Sequence, residues 1–250
     1  MRFKFMDLLL FALLFIFVNS FPVDLISKDE TIRLLIRIGL RAVLLSYDIY
    51  ILWKNRINIF KFANYRNVGL FVPFILICFS NLIAAGIGGS QFVYVADALR
   101  VVLIVIYYLL GVLLEEFLFR LFIQNSLVGV SSIKRIVGSA AIFAIFHLLN
   151  IVNISQVDQL INVLVQVVYA FGLGLVLALI YEYTYSLPAC IVFHFIFNFF
   201  NKIMVEDVFR ISFDTLAYYL TAVVIGVIAV AYGILLYLFV LNKHDRYFRQ

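Results

Sequence analysis

Long apolar runs separated by short polar clusters dominate the chain. They fall near residues 5 to 22, 31 to 53, 68 to 88, 97 to 128, 134 to 152, 158 to 181, 185 to 202 and 214 to 241. A helix needs about 20 apolar residues to cross the hydrocarbon of a bilayer, and each run is close to that length. None shows the strict alternation of a membrane barrel strand. Backbone groups in hydrocarbon must find their partners within the segment, so the runs predict helices. The expectation is an all-α, polytopic integral membrane protein of about eight transmembrane helices. No repeat of 20 to 50 residues and no low-complexity linker divides it, so residues 1–250 read as one integral domain.

Composition agrees with that reading. Hydrophobic residues make up 66% of the chain and charged residues 13%, against about a quarter charged in soluble domains. The two cysteines, Cys78 and Cys190, both sit within apolar runs, which leaves neither a disulfide framework nor a cysteine zinc site. The net charge of +5 does not point to nucleic acid, because the basic residues are scattered at the ends of apolar runs. Arg2 and Lys4, then Lys54, Arg56, Lys61 and Arg66, then Lys134 and Arg135, then Lys243, Arg246 and Arg249 all fall on one side of an eight-span arrangement. The positive-inside rule then puts both termini in the cytoplasm. The first twenty residues also have the charged start and apolar run of a signal peptide, with Asn19 and Ser20 before a conceivable cleavage point.

Several smaller features carry structural expectations. Ser27 to Glu30, "SKDE", has the spacing of a capping box at the start of the second helix. Arg33, Arg37 and Arg41 share one face of that helix, where snorkelling or an interfacial position accounts for the first two; Arg41 lies deeper and calls for a partner. Gly86, Gly88 and Gly89 read as a turn, and Gly172 with Gly174 as a place where helices approach closely. Tyr181, Tyr183 and Tyr185 suit an aromatic belt.

One run holds an unusual charge density. "GVLLEEFLFR" carries Glu115, Glu116 and Arg120 inside a hydrophobic span. An ionisable group there costs at least about 2.5–3.5 kcal/mol on insertion scales, so it faces protein or water and marks function by default. Neighbouring helical residues point about 100° apart, so the two glutamates have different tasks. Glu116 and Arg120, four apart in the favourable order, suit an orienting ion pair. Glu115 is left free to face a cavity and is the stronger catalytic candidate.

Two further spans carry a histidine each, in "FAIFHLLN" (His147) and "FHFIFNFF" (His194); His244 lies in the basic tail. At about 1.5 Å of rise per residue, Glu115, His147, His194 and Asn198 reach one layer of the membrane. His194 and Asn198, four apart, can both donate hydrogen bonds toward one point, as an oxyanion hole requires. A carboxylate and a histidine opposite can hold and deprotonate a water. With neither a serine elbow nor a pair of aspartates in sight, the physical reading is amide hydrolysis inside the membrane by activated water.

The order "EEFLFR", "FAIFH", "HFIFN" resembles the three motifs of the CAAX-protease and bacteriocin-processing (Abi) family of intramembrane endopeptidases. The pattern has two glutamates with an arginine four after the second, a phenylalanine (Phe143) four before a histidine, and a histidine four before an asparagine. The resemblance covers roughly residues 97–202. It implies that Glu115 activates water, His147 helps hold that water or a metal, His194 and Asn198 stabilise the oxyanion, and Glu116, Arg120 and Phe143 shape the site. Two histidines and a carboxylate (Glu115, His147, His194) suit Zn2+ or another divalent metal with a position open for water; the same set also works without one.

The implied substrate is a hydrophobic or lipidated peptide or protein in the lipid bilayer, without a nucleic-acid partner. Richness in Phe, Ile and Asn hints at a bacterial plasma membrane and hence at a peptide without a prenyl group. Two other classes compete. A non-catalytic bacteriocin-immunity or regulatory protein would bind a partner and tolerate glutamine at position 115. A proton-coupled transporter would use buried glutamates and histidines but should show inverted repeats or broken helices in corresponding halves.

Overall fold

The computed structural model describes residues 5–59, 65–87, 92–95, 97–127, 129–153, 157–211 and 215–238. Arg2, Lys4, Lys61, Lys243, His244, Arg246, Arg249, Gly88 and Gly89 lie outside them. Eight α-helices follow the eight apolar runs: α1 (Phe5–Ser20), α2 (Glu30–Lys54), α3 (Ser80–Ile87), α4 (Ala98–Glu116), α5 (Ser132–Phe146), α6 (Val157–Thr184), α7 (Leu187–Asn198) and α8 (Thr215–Leu236). Four of the runs change winding partway. A 3₁₀ stretch, Tyr65–Phe79, leads into α3, and another, His147–Asn153, leaves α5. α4 widens into a π-helix over Phe117–Gln124, and α7 does the same over Phe199–Val208.

The chain is an all-α polytopic membrane protein. Among the described residues, five helical segments are long and apolar enough to cross a bilayer: 69–87, 98–124, 132–151, 159–184 and 187–205. α1 is apolar but only 16 residues long, and α2 is long but interrupted by three arginines. A short antiparallel pair, β1 (Phe92–Tyr94) with β2 (Phe209–Ile211), joins the entry to α4 to the exit from the π-helix after α7. The hydropathy pattern gave no sign of it, because three residues are too few to show alternation.

Helix starts follow from local chemistry. Asp29, rather than Ser27, caps α2, accepting from the Ile32 amide at 3.0 Å. Ser27 is spent on the Asp29 amide at 3.1 Å, and Glu30 reaches away to Arg100 at 3.0 Å, so the expected capping box does not form. Asp97 caps α4 through the Arg100 amide at 2.8 Å, and Ser186 caps α7 with Pro188 in the first turn.

The core is largely aromatic. Phe11 and Phe15 of α1 meet Phe122 and Phe119 edge to face, the preferred geometry for aromatic pairs. α5 and α6 pack closely at Gly174, where a Cβ would come within 3.1 Å of Ala140 Cα and Phe143 Cδ1. Gly172 faces open space and Gly86 lies within α3, so neither serves as expected. Tyr181 and Tyr183 are buried rather than set in a belt, and only Tyr185 of the three is exposed. At the far side, Asn201 clamps the π-helix after α7 to α3: its Oδ1 accepts from Ser80 Oγ and the Asn81 amide, and its Nδ2 donates to the Ile77 carbonyl.

This packing gives the bundle two chemically different ends. Lys54, Arg56, Lys134 and Arg135 gather where α2 and α6 end and α5 and α7 begin. The opposite end carries the end of α1, the starts of α2 and α4, and the β pair. Between them lies the polar layer.

Candidate active site

α4 presents Glu115 and Glu116 on different faces, as the helical twist requires. Glu116 is fully buried while the Glu115 side chain keeps 24% exposure. That exposure is to a cavity of about 280 Å³ whose walls include Glu115, His147, His194 and Asn198. The four residues expected at one depth thus line one pocket, and they reach it from three different helices. α4 brings Glu115, the 3₁₀ turn at the end of α5 brings His147, and α7 brings His194 and Asn198.

His194 sits between the glutamates. Its Nδ1 lies 2.8 Å from Glu116 Oε1 and its Nε2 lies 3.7 Å from Glu115 Oε2. A carboxylate only accepts, so Nδ1–H donates to Glu116 and Nε2 is left facing the pocket. The 3.7 Å gap exceeds a hydrogen bond, so Glu115 and His194 confront each other across space that a small oxygen-bearing group can share. On His147, Nδ1 is held by the Phe143 carbonyl at 2.9 Å. That bond fixes the tautomer and leaves Nε2 as a lone-pair acceptor.

Behind this face the expected Glu116–Arg120 pair forms, with Nε to Oε2 at 3.3 Å and both side chains fully buried. Arg120 Nη1 also donates to Ser139 Oγ at 2.8 Å, and that hydroxyl donates to the Phe119 carbonyl at 3.1 Å. Its other terminal nitrogen, Nη2 of Arg120, is buried and has no hydrogen-bond partner among the described residues. Phe143, fully buried, fills the remaining corner: the Arg120 guanidinium lies 5.5 Å over its ring, and the ring meets His147 and His194 edge to face. A charged knot of Arg120, Glu116 and His194 is therefore locked by packing and aimed at the pocket through a single ring nitrogen.

Zinc ligation requires three donors to converge within about 2.0–2.2 Å of one point. Among the described residues no three His, Cys, Asp or Glu side chains come together in that way. Glu115, His147 and His194, as placed, do not form such a set.

The rest of the lining was only partly foreseen. Arg41 finds its partners in α1 and α4: Nη1 donates to the Tyr107 carbonyl at 2.8 Å, and Nη2 donates to Asn19 Oδ1 at 3.1 Å and Tyr107 Oη at 3.0 Å. The guanidinium lies 3.8 Å over the Tyr107 ring, and a Cβ on Gly111 would stand 2.6 Å from its Nη1. Arg37 and Lys202 join it in the lining. Arg33 turns away to Asp24 at 2.7 Å, an ion pair rather than simple snorkelling. Ser139, Asn19, Tyr107, Gly111 and Lys202 carried no signal in the sequence, because each matters only through a neighbour far along the chain.

A comparison with known families covers the same stretch of the chain. Residues 97–200 match the model of the type II CAAX prenyl endopeptidase Rce1-like family. No curated protein and no solved structure matches the chain. The matched stretch runs from the cap of α4 to the end of α7 and contains Glu115, Glu116, Arg120, Phe143, His147, His194 and Asn198. The protein is a polytopic membrane protein whose residues 97–200 match the model of the Rce1-like type II CAAX prenyl endopeptidase family.

Proposed function

We propose that the pocket hydrolyses a peptide bond in a hydrophobic or lipidated peptide or protein, using water activated by Glu115 and His147. The observation that carries this is the placement of Glu115 opposite His194 Nε2 at 3.7 Å, in a cavity that His147 and Asn198 also line. A water between the Glu115 carboxylate and the His147 Nε2 lone pair gives a proton to Glu115 as its oxygen bonds to the substrate carbonyl carbon. The carbonyl oxygen takes up the negative charge. Asn198 Nδ2–H donates to that oxyanion, as does His194 when Nε2 carries a proton. Collapse of the tetrahedral intermediate breaks the C–N bond, and Glu115 returns its proton to the leaving amine. No step passes through a metal, in keeping with the spread of the donors.

We infer further that the basic end lies in the cytoplasm, with both termini, in a bacterial plasma membrane. The polar mouth of the pocket, formed by Asn19, Arg37, Arg41 and Tyr107, then opens away from the cytoplasm.

The test is a comparison of the membrane proteome and secreted peptides of cells carrying the natural protein or Glu115→Gln at equal abundance. A fragment lost in the variant, with its precursor accumulating, supports hydrolysis and identifies the substrate. If the variant retains every fragment and also the phenotype that deletion removes, the protein acts by binding a partner, as an immunity or regulatory protein would.

A further inference from the structure

Among the described residues, Arg56 (φ 52°) and Tyr185 (φ 49°) are the two non-glycine residues with a left-handed backbone. Each stands just past the end of a helix. The Arg56 and Ile57 amides donate to the Trp53 and Leu52 carbonyls and close α2, and the Tyr185 amide donates to the Tyr181 carbonyl and closes α6. Glycine is the ordinary occupant of such a position, because a Cβ crowds the backbone there. Strained non-glycine residues gather at functional sites, and these two flank one cavity. Tyr185 lines it, and Arg56 is two residues before Asn58, which lines it as well.

The cavity holds about 350 Å³ at the basic end and shares no lining residue with the pocket of Glu115. Its lining divides by chemistry. Ile59, Leu121 and Leu187 are apolar, whereas Asn58, Asn125, Tyr181 and Tyr185 are polar, and no carboxylate is among them. Asn125 Nδ2 donates to the Tyr181 hydroxyl at 2.8 Å and to the Leu121 carbonyl at 2.7 Å, which leaves the Tyr181 O–H to donate elsewhere. Arg56 and Lys54 are exposed and make no ion pair among the described residues; the Lys54 ammonium lies 5.8 Å over the Tyr50 ring. Glu182, next to Tyr181 on α6, is already paired with Arg135. Tyr50, Trp53 and Tyr185 are exposed, the aromatic company that a membrane–water interface attracts. A donor hydroxyl, unpaired cations and an apolar wall at that interface match the headgroup and upper acyl chain of an anionic lipid.

We propose that this cavity binds the phosphate of an anionic phospholipid. Tyr181 donates to the phosphate, Arg56 neutralises it, Tyr185 forms the rim, and the apolar wall takes the first carbons of an acyl chain. The cations select an anion, and the apolar wall at the interface selects a lipid over a soluble phosphate. Lipid binding here is independent of peptide hydrolysis, and its test involves no turnover.

Full-length protein in a neutral detergent is titrated with dioctanoyl phosphatidylglycerol, dioctanoyl phosphatidylcholine or inorganic phosphate. Binding is read by native mass spectrometry and by the rise in melting temperature. Phosphatidylglycerol is expected to bind about tenfold or more tighter than phosphatidylcholine, as charge-assisted contacts allow, and phosphate alone to give no shift. Arg56→Gly and Tyr185→Gly each relieve a left-handed backbone, so both proteins should melt no lower than the natural one before lipid is added. Arg56→Gly should lower phosphatidylglycerol affinity about fivefold or more and leave phosphatidylcholine as before. Tyr185→Gly, which opens the rim, should lower phosphatidylglycerol affinity by a similar factor. Lys28→Gln, which removes an exposed charge at the opposite end, should leave the preference intact. Equal binding of the two lipids, a shift with phosphate alone, phosphatidylglycerol affinity unchanged in either glycine variant, or an equal loss in Lys28→Gln overturns the proposal.

Discussion

Two Arg–Glu clusters built from similar parts lie about one helical turn apart along α4 and α5. In one, Arg120 pairs with Glu116 and reaches Ser139. In the other, Arg135 pairs with Glu182, which also accepts from Gln124, itself anchored to the Ala178 carbonyl. Both tie neighbouring helices together, although the first pair is fully buried and Arg135 of the second is partly exposed. The difference lies in what comes next. Glu182 accepts from Arg135 and Gln124, and Gln124 Nε2 also donates to the nearby Ala178 backbone. Glu116 accepts from His194 Nδ1–H, and His194 presents its second nitrogen to a cavity that Glu115, His147 and Asn198 also line. A buried ion pair is weak evidence for anything; a buried pair that orients a ring nitrogen toward enclosed space is evidence for chemistry.

Mutation should separate the two clusters. Glu116→Gln removes a fully buried charge whose partners stay behind, which costs about 3–5 kcal/mol of stability, and it also releases His194. Melting temperature and turnover by the folded fraction should therefore fall together. Asn198→Ala leaves the knot intact and removes one oxyanion donor. Turnover should fall about 10²–10³-fold with KM and melting temperature nearly unchanged, as read from peptide cleavage and scanning calorimetry. Arg135→Met breaks the other cluster and should cost about 1–3 kcal/mol, since Arg135 is partly exposed, while turnover per folded molecule stays as it was. If that variant is as inactive as Asn198→Ala, the distinction drawn between the clusters is wrong. Gly174→Ala should act by crowding, the new methyl meeting Ala140 Cα at 3.1 Å. Separating α5 from α6 there should cost about 1–3 kcal/mol and shift His147 slightly, visible as a modest drop in turnover.

Much of this was legible in the sequence, for identifiable reasons. Hydropathy located all eight helical segments to within a few residues, because a bilayer imposes length and a helix satisfies its own backbone. A constant rise per residue was enough to bring Glu115, His147, His194 and Asn198 to one depth. The i,i+4 spacing found the Glu116–Arg120 pair. What the sequence did not carry was everything that depends on winding or on distant neighbours. The π-helices that begin directly after Glu116 and Asn198 have no hydropathy signature, yet π segments recur at functional sites. The partners of Arg41 lie 22 and 66 positions away along the chain. The link from Glu116 to His194, which joins the ion pair to the pocket, spans 78 positions. Asp29 replaced Ser27 as a cap because the serine had a nearer amide to serve.

The central claim is that Glu115, and not its buried neighbour, activates water. The most direct measurement is peptide cleavage by purified protein in nanodiscs, comparing Glu115→Gln with the natural chain and following the melting temperature of each. The account predicts turnover lowered about 10²–10⁴-fold, the usual contribution of a positioned acid–base group, with the melting temperature retained. A Glu115→Gln protein that folds and still cleaves at the natural rate would contradict it.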